Sequence, residues 1–444
     1  MVQNQREKLG CTSNIHYLNF QKSAKDRSQS QEFAKLKDAT NLSKLPTIDE
    51  QVFKLKPSLP VYFLRLHAIE RATKFFLDAF SYSKYQGDVL YSVKSNPEKI
   101  ILQKLFETGV KHFDVASLSE VELIHSLFGD AVKMYFMHPV KSREAIHQAY
   151  FKYGIRDFVL DSTEELRKIK EVTKNANDLG LHLRLSVTNS NAVFNLSGKF
   201  GVLPSKAIAL ARRARLSSKR FGICFHVGSQ CMDPIEYRNA INLVKNIVQK
   251  SKVSLDVLDI GGGFPSSYPG MTPQSMQNYF DEIFDAIEQA GFDSKVKLWC
   301  EPGRALVAEA GSLLVRVEAR KDSMLYLNDG TYGGLFDAGF PNFIYPTRAI
   351  RTKGKQPLSE KLKSFGFYGP TCDSLDVMKG PFSLPENISE GDYIEIGQLG
   401  AYSRSLRTSF NGFDESLQIE VADEPLVSMF IEEELENLQE KLKF

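Results

Sequence analysis

Three short segments hold the residues of this chain best suited to chemistry: a lysine closing an apolar run, a triple glycine, and a carboxylate sharing a loop with an arginine. Lys94 follows Leu90-Tyr91-Ser92-Val93 and precedes Ser95-Asn96-Pro97, where the Asn-Pro pair signals a turn. An amine placed at a strand end can attack an aldehyde once burial or neighbouring cations lower its pKa. The bland alternative is a solvated edge charge, so the reading of Lys94 depends on what converges on it.

Leu258-Asp259-Ile260 opens into Gly261-Gly262-Gly263, and backbone amides without side chains can approach a phosphate closely. The spacing is not G-x-G-x-x-G, which disfavours a dinucleotide fold. Trp299-Cys300-Glu301-Pro302-Gly303-Arg304 puts a carboxylate and a guanidinium on one loop. A guanidinium fork suits phosphate, and a carboxylate facing a pyridine nitrogen would keep it protonated; an intraloop ion pair is the alternative. Phe225-His226-Val227-Gly228-Ser229 offers a flat ring for stacking and a hydroxyl for phosphate, against the reading of a satisfied core histidine. Amine, phosphate cradle, stacking ring and pyridine partner together suggest pyridoxal 5'-phosphate.

Further candidates are less specific. Asp114, Ser117 and Glu120 form an acidic strand-to-helix junction in which a helix cap is the plain reading, and Arg184 on an apolar run needs a polar partner if it points inward. Cys372-Asp373 joins a thiol able to position a proton to a carboxylate able to receive an ammonium group, or is simply a turn. Tyr402, after Gly397-Gln398-Leu399-Gly400-Ala401, could reach a phosphate or pack in a core.

These residues need elements to position them. Apolar runs at Leu90 to Val93, Lys111 to Asp114, Met134 to Met137, Phe158 to Leu160, His182 to Ser186, Gly222 to His226, Val257 to Ile260 and Lys297 to Cys300 alternate with amphipathic stretches. Eight such runs predict an α/β fold of (β/α)8 TIM-like barrel type, with chemistry at the strand C-termini. Beyond Gly311, short aromatic segments broken by Gly, Pro and Asp predict an antiparallel β domain. The expected units are an extension over 1–45, a barrel over 46–305 whose first strand is lent to the β domain, the β domain over 306–423, and a Glu- and Leu-rich helix over 424–444.

With 444 residues, of which 42% are hydrophobic, the chain can bury more than one core. A net charge of +2 supplies no field for nucleic acid or an anionic membrane. Five cysteines without C-x-x-C spacing argue against a disulfide scaffold and against a metal site. A start without a signal-peptide core, and no apolar run of spanning length, predict a cytoplasmic protein away from membranes.

In order along the chain, the motifs Tyr-Ser-Val-Lys94-Ser-Asn, Phe-Asp114-Val-Ala-Ser, His226-Val-Gly-Ser229, Gly-Gly262-Gly263-Phe-Pro, Glu301-Pro-Gly303-Arg304, Gly-Pro-Thr-Cys372-Asp373-Ser, Gly-Ala-Tyr402 and Phe410-Asn-Gly-Phe are similar to those of the fold type III pyridoxal-phosphate decarboxylases. That alanine-racemase-like barrel family includes ornithine and diaminopimelate decarboxylases. The resemblance runs from about Val61 to Phe413. It implies that Lys94 carries the cofactor aldehyde, Glu301 faces the pyridine nitrogen, His226 stacks on the ring, and Ser229, Gly262, Gly263, Arg304 and Tyr402 hold the phosphate. Asp114, Glu120, Arg184 and Gly303 line or orient the same pocket by the same resemblance. Cys372 and Asp373 correspond to a pair inserted from a partner subunit, implying a homodimer with shared active sites in which Cys372 returns a proton.

Diaminopimelate decarboxylases have Cys-Glu-Ser where this chain has Cys372-Asp373-Ser374, so the resemblance favours a small amino-acid substrate with a terminal amine: ornithine, giving putrescine. Tyr332 is retained from the family's substrate loop. The following aspartate is not: Pro341 stands in its place and Asp337 lies upstream, so either Asp337 substitutes for it or the pocket takes another chain length, such as lysine. Arginine and diaminopimelate are weaker alternatives. A non-catalytic regulatory homologue would have lost cofactor residues, and a racemase would carry Arg where Glu301 stands.

Overall fold

In the computed structural model, which describes residues 45–81, 87–187, 192–194, 198–352 and 356–430, two β systems divide the chain. A first strand, β1 (Val61–Leu64), precedes the barrel. Then come β2 (Gly87–Ser92), β3 (His112–Val115), β4 (Lys133–Phe136), β5 (Asp157–Leu160) and β6 (Gly180–Arg184), each followed by at least one helix. A short β7 (Ala192–Phe194) and β9 (Ser229–Cys231) pair with each other, and β8 (Arg220–Cys224), β10 (Val257–Asp259) and β11 (Lys297–Cys300) complete the set. The closed order is β10-β11-β2-β3-β4-β5-β6-β8, with every ladder parallel. All eight predicted runs supply a barrel strand. β2 ends earlier than predicted, at Ser92, and Val93–Ser95 form a 3-10 turn carrying Lys94 at the strand's C-terminal end.

Serines start several of the outer helices. Ser117, Ser142, Ser162 and Ser275 each accept a hydrogen bond from the backbone of the first turn, satisfying donors that have no partner within the helix. The helix Leu66–Ser81 buries Phe75, Phe76 and Phe80, and Phe76 meets Phe264 and Phe280 edge to face at 5.1 and 5.2 Å. Burying a side chain of that size contributes roughly 1.5–3 kcal/mol.

The second system comprises β12 (Gly311–Lys321), β13 (Met324–Leu327), β14 (Thr347–Ile350), β15 (Leu362–Tyr368), β16 (Val377–Pro385), β17 (Tyr393–Ile396) and β18 (Leu417–Glu420), together with β1. Its main path is β14-β17-β12-β13-β15-β16, while β1 pairs antiparallel with β12 and parallel with β18. The sheet is mostly antiparallel, as expected, with β1–β18 as a parallel pair. β13 and β15 also run parallel, which the long connection between them permits where a hairpin would not.

The helix predicted from residue 424 is corrected as far as residue 430. This segment is irregular: Ser428 Oγ and Met429 N–H donate to the Glu309 carboxylate at 2.6 and 2.7 Å, and Phe430 packs against Phe75. Pro425 disfavours helical geometry at Glu424, and Glu309 takes a backbone donor. The remainder of that predicted helix, and residues 1–44 of the predicted extension, lie outside the described residues.

Candidate active site

At the C-terminal ends of β2, β3 and β11 a polar cluster forms around Lys94. Its Nζ lies 2.8 Å from Asp114 Oδ2 and 3.3 Å from Ser92 Oγ. Ser92 Oγ donates to Asp114 Oδ2 at 2.8 Å and is also within reach of the Glu301 carbonyl. Burial pulls the Lys94 amine down, but Asp114, Tyr402 and Glu301 outweigh it and raise the amine above its ordinary range. The lowered pKa expected from the sequence is therefore corrected: with these neighbours Lys94 is an ammonium donor.

Glu301 sits beside Asp259, both buried. Burial first, then the charges of Asp259 and Asp114, pushes the Glu301 carboxyl well above the usual range; Asp259 is raised by burial too, while its hydrogen bond with Glu301 pulls the other way. Two buried carboxylates so close do not both ionise cheaply, and the upward push is the larger at Glu301. Among the described residues no ion pair joins Glu301 to Arg304, so the intraloop alternative fails.

The glycine loop packs backbone to backbone. A Cβ on Gly262 would lie 2.6 Å from the Glu301 carbonyl oxygen and 3.2 Å from His226 Nε2; one on Gly263, at φ +104°, would lie 2.5 Å from the Gly228 carbonyl oxygen. His226 Nδ1 accepts from Gly228 N–H at 3.0 Å, leaving the ring hydrogen on Nε2. Burial, then Arg184 and Lys94, push the imidazole well below its ordinary range, so the ring is neutral. Half-buried Arg184 ends β6, and half-buried Ser229 begins β9.

Arg304 is buried at the start of the short helix Arg304–Val307. Its Nη1 donates to Tyr268 OH at 2.8 Å, its Nη2 lies 3.6 Å from Asp337 Oδ2, and its Nε has no hydrogen-bond partner among the described residues. Tyr402, held at φ +52° with its N–H on the Ser95 carbonyl, puts its ring 5.0 Å from the guanidinium. A Cβ on Gly303 would touch the Ser95 side chain at 3.0 Å. Glu120 accepts from Ala116 N–H at 2.6 Å, and Ser117 is indeed a helix cap. An orphaned guanidinium N–H, a cradle that any Cβ would fill, a neutral flat ring and a lysine at the strand end fit a phosphorylated aromatic aldehyde.

Cys372 and Asp373 lie elsewhere, on an exposed turn after β15. Tyr332 OH donates to Asp373 Oδ2, and Leu375 N–H donates to Oδ1 at 3.0 Å; the backbone donor and then Tyr332 hold this carboxyl below its ordinary range. Among the described residues, no hydrogen bond or ion pair joins Cys372 or Asp373 to the Lys94 cluster. Asp337, expected as a substrate contact, is buried in the short helix Phe336–Gly339 with its carboxylate towards Arg304.

Over residues 66–308 the sequence matches the family described as pyridoxal-dependent decarboxylase, pyridoxal binding domain. The chain belongs to this family. It is 31% identical over 348 residues to lysine/ornithine decarboxylase of Selenomonas ruminantium, covering 77% of this chain and 85% of that one. Over 353 residues it is 33% identical to ornithine decarboxylase of Mus musculus, covering 73% of each. The solved SrLDC mutant in complex with PLP has the same fold, with a TM-score of 0.73 and 27% identity over 89% of this chain and 100% of that one. The protein is a pyridoxal-phosphate-dependent decarboxylase of basic amino acids.

Three residues of the decarboxylase site escaped the sequence reading: Ser92, Asp259 and Tyr268. A carboxylate inside the apolar run Val257–Ile260 was the available signal for Asp259; Ser92 and Tyr268 had none. Among the described residues, no helix is long and apolar enough to cross a membrane.

Proposed function

We propose that this enzyme decarboxylates L-ornithine to putrescine, with Lys94 as the cofactor's attachment point. The observation that carries the substrate reading is Asp373: a short carboxylate, kept ionised by Leu375 N–H and Tyr332 OH, suited to a terminal ammonium group. The names of the Selenomonas and mouse relatives support the same substrate class. Lysine is the second reading, supported by the bifunctional name of the Selenomonas relative and by the missing second carboxylate at Pro341.

Bound pyridoxal phosphate supplies an electron sink for the electron pair left at the α-carbon when carbon dioxide departs. In this reading Glu301, backed by Asp259, would face the pyridine nitrogen, and neutral His226 would cover one face of the ring. Ser229, Gly262, Gly263, Arg304 and Tyr402 would hold the phosphate, with Gly303 keeping Arg304 close. Asp114 and Ser92 orient the Lys94 amine, and burial, with Arg184 beside it, keeps His226 neutral. Tyr332 fixes Asp373, and Cys372 returns a proton to the α-carbon.

The exposed Cys372 turn supports a head-to-tail homodimer. Leu375, Phe410 and Phe413 stand exposed beside it, an apolar surface of the kind that a partner subunit covers. The test is carbon dioxide release from ornithine, lysine, arginine and diaminopimelate compared side by side. Ornithine is expected to give the highest kcat/KM; preference for diaminopimelate would overturn the reading of Asp373.

A further inference from the structure

We propose that Asp337 is a positioning residue for the phosphate-recognising guanidinium of Arg304, so that the substrate's distal amine is read by Asp373 without it. The inference rests on the reading of Arg304 given above. It begins from how the guanidinium is held: Nη1 is fixed by Tyr268 OH at 2.8 Å, and Nη2 is drawn towards Asp337 Oδ2 at 3.6 Å. Those two anchors engage the terminal nitrogens and leave the Nε–H as the donor without a partner among the described residues. A planar fork pinned in this way is pre-oriented, and its free donor can engage an anion without first losing side-chain freedom.

The surroundings of Asp337 keep it in that role. It lies in the short helix Phe336–Gly339, its carbonyl accepts from Phe343 N–H at 2.8 Å, and its side chain is buried. The rings of Tyr268, Phe343 and Tyr402 lie 5.8, 5.3 and 5.0 Å from the guanidinium carbon, enclosing the pair in a poorly solvated setting where a misplaced charge is costly. Serving a substrate ammonium would require Asp337 to abandon a buried cation. Asp373 is half-buried, lies outside that enclosure, and is already held in an accepting geometry.

The test compares the full-length wild type, Asp337→Asn and Asp373→Ala, each freed of cofactor and titrated by fluorescence with pyridoxal phosphate and with pyridoxal, which lacks the phosphate. Asp337→Asn is expected to weaken pyridoxal phosphate about tenfold while leaving pyridoxal, and the ornithine KM at saturating cofactor, within about twofold. Asp373→Ala is expected to raise KM and spare both cofactor affinities. An equal loss for pyridoxal, unchanged or tighter binding of pyridoxal phosphate, or a raised KM for Asp337→Asn would each overturn the proposal. Should Asp337→Asn fail to fold, Tyr268→Phe, which removes the other anchor, carries the same expectation. A wild type that binds pyridoxal as tightly as its phosphate would overturn the phosphate reading of Arg304 itself, a separate result from an inert Asp337.

Discussion

Lys94 Nζ and Asp114 Oδ2 stand 2.8 Å apart, and Ser92 Oγ binds the same carboxylate oxygen. The carboxylate comes from the end of β3, so the amine is oriented by the neighbouring strand. Asp114 also raises the amine's pKa, against the pull of burial.

Replacing Asp114 by Asn removes a raising influence, so the free amine becomes available at lower pH. The rate at which cofactor-free enzyme recaptures pyridoxal phosphate should then rise with pH along a curve displaced about one unit or more to the acid side of the wild type. An unmoved curve would show that Asp114 does not control this amine.

Asp373→Ala removes one charge-assisted partner of the substrate. The KM for ornithine should rise roughly tenfold to a hundredfold, with cofactor affinity unchanged. Steady-state kinetics at saturating cofactor check this, and an unchanged KM refutes it.

Active sites shared across a dimer predict complementation. Lys94→Ala and Cys372→Ala, each nearly inactive alone, should recover roughly a quarter of wild-type activity after mixing and re-equilibration, since half the dimers are mixed and each mixed dimer holds one complete site of two. Absence of recovery between folded, exchanging variants would mean that each chain builds its own site.

At the opposite end of the barrel, Asp157 is buried between His182 Nε2, at 2.8 Å, and Arg220. Burial raises its carboxyl, but the hydrogen bond and charge of His182, then those of Arg220, pull it down to about 2. A depressed folded pKa gives stability that is complete above the unfolded value and fades as pH falls through the folded one. The contribution is about 2 kcal/mol, lost between about pH 4 and 2. Urea midpoints of Asp157→Asn should therefore lie below wild type at pH 6, with the gap closing towards pH 2.5; a constant gap would contradict this.

The barrel was legible because each strand is a short apolar run, and several end at or beside a polar residue of the site, as at Lys94, Asp114 and Arg184. The sheet of the second unit was only partly so. β16 buries Met378, Phe382 and Leu384 on alternate positions, a pattern plain in the sequence, yet nothing local announces that β1 and β18, from the two ends of the described chain, lie side by side. Asp337 shows the same limit within the site. Its residue type suggested a role with the substrate, whereas its partner was set by how the loop to Pro341 folds against Arg304. Ser92 was hidden for the opposite reason: one hydroxyl serves Asp114, Lys94 and the Glu301 carbonyl only once three strands meet.

β1 is synthesised before the barrel and β18 after it, yet each borders the other in one sheet. The barrel is therefore an insertion within a discontinuous unit, and that sheet cannot close until nearly the whole described chain has left the ribosome. Contacts so distant in sequence form late and slowly. A fragment starting at Gly311 would expose the edge that Val61–Leu64 covers, so the smaller unit is not separable by a single cut, and its closure is the step at which the chain commits to both halves at once.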